Sequence, residues 1–282
     1  MPDFTFHQVD VFSSIRLKGN PLAVVSGADD LSETEMAAFA NWTSLSETTF
    51  LLRPSVPEAD YRVRIFTPFQ ELPFAGHPTL GSAWVWRATG GQPARTDTII
   101  QECGAGLVSV RQNGTQLAFI APPMLRSGPV SPELLAQTLQ ALGLSPAQVT
   151  DSAWTDNGPG FFSLLLDSRK TLLNIRPDYA RLGNLKVGLV APCEKEDSTD
   201  AQFELRLFFC SEGRGFEDPV TGSLNAAVAK WLADSGRAPE KTWTAIQGTA
   251  LGRQGRISLT REGDDILVGG SVVPCISGTV TL

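Results

Sequence analysis

The spacing of apolar and polar residues changes several times along the chain, and each change marks an element. Residues 4–11 alternate, with Phe4, Phe6, Val9 and Val11 as the apolar members, which predicts a half-buried strand. Gly19-Asn20-Pro21 turns the chain into a second strand, Leu22-Ala23-Val24-Val25. Ser32-Glu33-Thr34-Glu35 has the form of a capping box and opens a helix through about Asn41. Residues 45–52, rich in β-branched and apolar side chains, read as a strand, and Tyr61 to Phe66 alternates again. Pro78 suits the first position of a helix that carries Leu80, Ala83 and Trp84 on one side and stops at Gly90-Gly91, which puts His77 at the cap. Strands follow at 98–101 and 107–110, and Asn113-Gly114 is a two-residue hairpin signal before 116–120.

The second half repeats this order. Asn157-Gly158-Pro159-Gly160 precedes a strand at 161–166, a helical piece lies near 177–182, and strands follow at 187–190 and 203–209. Aligning Pro78 with Pro219 sets His77-Pro78-x-x-Gly81-Ser82 against Asp218-Pro219-x-x-Gly222-Ser223, with Asp218 as the N-cap. The second helix shows Leu224, Ala227, Val228, Trp231 and Leu232 at helical spacing and ends at Gly236. Ile246-Gln247 echoes Ile100-Gln101. A repeat of half the chain predicts an α+β protein of two pseudo-symmetric domains, each a curved, mostly antiparallel sheet wrapped around a central helix. The first domain spans 1–121 and the second 122–271, with the link near Ala121-Pro122-Pro123-Met124. The last strand, up to residue 282, could close either domain.

Composition narrows the partners. The chain has 282 residues, a hydrophobic content of 42% and a net charge of −7, with no basic run. That argues against nucleic acid or an anionic membrane. No apolar stretch approaches the roughly 20 residues of a spanning helix, and the N-terminus lacks the form of a secretory signal. Cys103, Cys193, Cys210 and Cys275 are scattered and read as buried thiols in a reducing compartment. The expectation is a soluble cytoplasmic protein.

Two matched helix starts predict an anion site, formed by backbone N–H groups and the helix dipoles, in the cleft between the domains. A small-molecule carboxylate is the expected partner. Gly76, Gly81 and Gly222 allow close backbone approach. His77 and Asp218 can each orient a substrate or exchange a proton, although each alone reads as structural. Glu47 interrupts an apolar strand. On an alternating strand it would face solvent, while burial would tune it toward acid–base work. The second half has no acid in the corresponding stretch, Leu185-Lys186-Val187-Gly188. A Ser-His-Asp hydrolase lacks Gly-x-Ser-x-Gly. The two histidines and the cysteines show no metal-ligand spacing, and Gly104-Ala105-Gly106 does not continue as a dinucleotide fingerprint.

Leu45-Ser46-Glu47-Thr48-Thr49-Phe50, Arg64 to Pro68 with Glu71 to Pro78, Asn157-Gly158-Pro159, and Asp218 to Ser223 together resemble the PhzF-like (phenazine biosynthesis) family from about Val9 onward. The resemblance implies the diaminopimelate-epimerase-like fold, a homodimer, and a first domain completed by strand 272–282. It implies a cofactor-independent isomerase, without metal, moving a proton between carbons of a small cyclic or unsaturated carboxylate of the dihydro-hydroxyanthranilate type. Glu47 would be the general base and acid, and Gly76, His77, Asp218, Gly222 and Ser223 would bind substrate. Related racemases of this fold place cysteines at the two helix starts. Alignment on the helix glycines puts Ala75 and Thr221 there, which speaks against a two-base racemase. The alternative is a non-catalytic carboxylate-binding protein that retains the pocket.

Overall fold

A computed structural model describes residues 2–211 and 213–282. The elements in chain order are β1 (Asp3–Val11), β2 (Asn20–Ser26), α1 (Glu33–Thr43), β3 (Glu47–Leu52), β4 (Tyr61–Phe66), β5 (Glu71–Leu72), α2 (Gly76–Ala88), β6 (Thr98–Cys103), β7 (Gly106–Asn113) and β8 (Gln116–Ile120). They continue with β9 (Arg126–Pro129), α3 (Pro132–Leu142), β10 (Val149–Asp156), β11 (Phe162–Leu166), α4 (Arg169–Asn174), α5 (Tyr179–Leu182), β12 (Val187–Pro192) and β13 (Phe203–Ser211). The last are β14 (Arg214–Glu217), α6 (Gly222–Asp234), β15 (Thr242–Gln247), β16 (Gly255–Glu262), β17 (Asp265–Gly270) and β18 (Val272–Thr281). Two compact units emerge: residues up to Ile120 together with Gly269–Leu282, and Ala121–Val268.

The two units share one pairing pattern. In the first, β1 runs antiparallel to β2, β2 parallel to β3, β3 antiparallel to β4, β4 parallel to β6 and β6 antiparallel to β7. In the second, β10, β11, β12, β13, β15 and β16 repeat the same alternation. β18 lies antiparallel to β1 in the first unit, with register pairs from Asp3↔Thr281 to Val11↔Val272. β1 keeps unbroken register with β2, so Phe4 and Phe6 lie on the face under α1 and Val9 and Val11 on the face against α2. The bulge beside Gln8/Val9 leaves its extra residue, Cys275, on β18. The predicted capping box is present at Ser32 and Glu35, and Asn113 and Gln116 face each other across the predicted hairpin.

The first unit's sheet curls around α2, which touches β1 to β4, β6 to β8 and β18. A helix enclosed this way must be small or apolar on every side. Residues 76–83 of α2 are all buried, and a Cβ on Gly81 would lie 2.5 Å from Leu22 Cδ2. In the second unit α6 is likewise buried from Leu224 to Ala229, and a Cβ on Gly188 of β12 would lie 2.4 Å from Leu224 Cδ1. Sheet and helix therefore meet at glycine on opposite partners, on the helix in one unit and on the strand in the other. The outer face of the first sheet carries Phe4, Phe50 and Phe66, which cluster with Phe39 of α1. Each such buried side chain contributes about 1.5–3 kcal/mol.

Some expectations need correction. The stretch 126–156, to which the spacing assigned no element, forms β9, α3 and β10, with Ser131 capping α3 and Gly143 in the left-handed conformation at its end. α2 begins at Gly76 with Ala75 as N-cap, so His77 is the second helical residue and Pro78 the third. The N-cap of α6 is Thr221, not Asp218. The four cysteines are free thiols but half-buried.

Candidate functional site

β3 has buried layers on both faces, and its period of two assigns residues to them. Phe50 joins the cluster under α1, and the Thr48 hydroxyl lies 2.9 Å from that of Thr43 on the same helix. Thr49 faces the other way and accepts a hydrogen bond from Ser82 Oγ of α2 at 2.9 Å. Glu47, two residues before Thr49, shares that face and is thereby aimed at the first turn of α2. Its Oε2 lies 3.4 Å from His77 Nε2, with the two side chains 16% and 6% exposed. The Glu47 side chain is therefore mostly covered, and the solvent-facing alternative for it does not hold.

Burial pushes the His77 imidazole down to about 3. A neutral ring therefore faces Glu47 at neutral pH, and the contact is one between a carboxyl group and a neutral imidazole rather than an ion pair. Such a ring orients its neighbour and does not supply charge. Beneath it, Gln101 Nε2 donates to Thr79 Oγ1 at 3.0 Å and Tyr61 donates to Gln101 Oε1 at 2.8 Å, tying the helix start to β6 and β4.

The second unit builds a different set at the equivalent place. Thr221 Oγ1 donates to Asp218 Oδ2 at 2.5 Å, and Gln247 of β15 binds the Thr221 amide, Asn225 and the Asp218 carbonyl. Asn157 Nδ2 donates to the Ser223 carbonyl at 2.9 Å. Asp218, Gly222 and Ser223 thus gather at the start of α6, as Glu47, Gly76 and His77 gather at the start of α2.

The structural equivalence differs from the one that the prolines suggest. A single offset relates Glu71 to Glu217, Ala75 to Thr221, Gly76 to Gly222, His77 to Ser223, Thr79 to Asn225 and Gln101 to Gln247. It extends to the far ends of the helices, where Thr89 and Ser235 close α2 and α6 with matching hydroxyl–carbonyl bonds. His77 therefore matches Ser223, and Asp218 lies three residues ahead of its helix cap. Proline misled the alignment because it fits both the first helical turn, where Pro78 sits, and a bend ahead of the helix, where Pro219 sits.

The caps separate these helices from the others. Ser32, Ser131, Ser168 and Asp178 each cap their helix with a side-chain bond to a backbone N–H. Ala75 and Thr221 make no such bond. The first N–H groups of α2 and α6, which have no acceptor within the helix, are left to other acceptors. Gln101, Gln247 and Thr221 are the functional candidates that sequence reasoning missed. The available signals were the Ile-Gln echo and the placing of Ala75 and Thr221 at the two helix starts.

Sequence and structure comparisons show which known proteins the chain resembles. A family model for phenazine biosynthesis-like protein matches residues 9–278. A Schizosaccharomyces pombe protein named antisense-enhancing sequence 1 is 35% identical over 99% of both chains. The trans-2,3-dihydro-3-hydroxyanthranilate isomerase of Pseudomonas aeruginosa is 34% identical over 90% of this chain and 89% of its own. The crystal structure of a phenazine biosynthesis protein of the PhzF family from Enterococcus faecalis superposes with a TM-score of 0.81 at 25% identity, covering all of both chains.

Proposed function

The chain belongs to the phenazine biosynthesis-like (PhzF) family and is an isomerase, and from that premise we propose that it moves a proton between two carbons of a small cyclic or unsaturated carboxylate. Glu47 removes the proton as general base and returns it to the second carbon as general acid. His77 orients Glu47 and polarises the substrate as a neutral ring. Gly76 offers its N–H to the substrate, and Asp218, Gly222 and Ser223 are its binding residues in the second unit. The chemistry rests on these side chains without a metal or organic cofactor. The substrate class is taken from the name of the Pseudomonas relative, a dihydro-hydroxyanthranilate. The reading also has the enzyme act as a cytoplasmic homodimer, which sedimentation of the purified chain checks.

The observation that carries this reading is the Glu47 carboxyl group, largely shielded from solvent and 3.4 Å from His77 Nε2. A carboxyl group in such surroundings is suited to exchanging a proton with carbon. The test is turnover of trans-2,3-dihydro-3-hydroxyanthranilate in D₂O. Wild type should place solvent deuterium in the product, and Glu47→Gln should lower both turnover and label uptake by about 10²–10⁴-fold. Equal label uptake by the two proteins would remove Glu47 from the role.

A further inference from the structure

We propose that Thr221, held by Gln247, is a positioning residue that fixes the Asp218 carboxylate. The inference rests on the reading of Asp218 as a substrate-binding group. Threonine is a favoured N-cap because its hydroxyl can accept a bond from the helix's own N–H groups. Thr221 occupies the cap of α6 with extended backbone (φ −110°, ψ 104°) and still forms no cap bond. Its hydroxyl turns instead to Asp218 Oδ2 at 2.5 Å and receives Gln247 Nε2 at 3.1 Å. A hydroxyl has one hydrogen, so accepting from Gln247 directs that hydrogen to the carboxylate. A short bond from a hydroxyl to a carboxylate is the stronger, charge-assisted kind.

Gln247 cannot be turned the other way. Its side chain is 1% exposed. Oε1 accepts from the Thr221 amide at 3.0 Å and from Asn225 Nδ2 at 2.8 Å, and Nε2 donates to the Asp218 carbonyl at 3.0 Å and to Thr221 Oγ1. The backbone amide is only a donor, so it must face the glutamine oxygen, and that sets the nitrogen on Thr221. One side chain of β15 thereby fixes both the backbone and, through Thr221, the carboxylate of Asp218.

The first unit shows that the fold does not require this link. There the equivalent cap is Ala75, which has no hydroxyl, and the equivalent Gln101 spends its amide on Thr79 and Tyr61. A buried glutamine that grips the first turn is common to both units. The threonine that carries its grip to a carboxylate belongs to the second alone.

The test compares Thr221→Val, which keeps the shape and loses the hydroxyl, with Thr221→Ser, which keeps the hydroxyl. Carboxyl-labelled aspartate allows Asp218 to be followed by carbon NMR, its signal identified by loss in Asp218→Asn. The Asp218 signal should shift in Thr221→Val and stay in place in Thr221→Ser. With trans-2,3-dihydro-3-hydroxyanthranilate, Thr221→Val should raise KM about tenfold and leave kcat within about twofold, with Thr221→Ser restoring KM. An unmoved Asp218 signal in folded Thr221→Val overturns the proposal even if Asp218→Asn raises KM. An unchanged KM in Asp218→Asn overturns the reading of Asp218 itself, and the positioning role falls with it.

Discussion

An imidazole that stays neutral inside the fold makes stability depend on pH. In the unfolded chain His77 takes up a proton below about 6.5, but burial holds it down to about 3 in the folded state. Between those values the unfolded chain binds more protons, so stability falls as pH drops through the window and is intact above it. At about 1.4 kcal/mol per unit the loss reaches a few kcal/mol near the acid end. Melting temperatures of wild type should therefore fall steeply between pH 6.5 and 4, and His77→Asn should flatten that slope. Parallel slopes would mean that another group sets the acid limit. Glu47 and His77 were legible in the sequence because a charged residue in an apolar strand, or a lone histidine before a helix, stands out. Thr221 and Gln247 were not, since neutral polar residues look alike whether they face water or close a buried network.

Helix α2 starts without a side-chain cap, and its third residue, Pro78, has no N–H. A cap introduced at Ala75 could therefore take only the His77 amide among the donors that N-caps ordinarily use. Ala75→Ser should raise stability by a few tenths to about 1 kcal/mol and also raise KM, because it competes with the substrate for that donor. A calorimetric scan and a KM measurement decide it. A stabilised variant with unchanged KM would take the α2 amides out of substrate binding. The sequence located both central helices by their apolar spacing but misjudged their first turns. Start signals report which residues tolerate an end, and proline tolerates several positions. α3 went unread although Ser131, Pro132 and Gly143 stand where a helix places them.

At the scale of the whole molecule, the repeat was visible as a shared order of strands and helices. Its register was legible in the Ile-Gln echo and in the pairing of Ala75 with Thr221 but not in the prolines. The strand pairings that carry it, such as β2 with β3 and β11 with β12, are non-local. The return of β18 is equally non-local, since β1 and β18 stand at opposite ends of the chain and pair over nine positions. Arg16 adds a bond from its Nε to the Pro274 carbonyl at 2.8 Å. A fragment of residues 121–268 should fold alone, while residues 1–120 should not, and appending 269–282 through a flexible linker should recover them. Amide NMR spectra of the three fragments check this. The same pairing sets an order during synthesis. A ribosome begins the first unit, then makes all of the second before it reaches β18, a delay on the order of ten seconds at ordinary translation speeds. Through that interval β1 keeps one edge of unpaired backbone groups, the kind of surface that holdase chaperones shelter. The unit begun first is the one completed last.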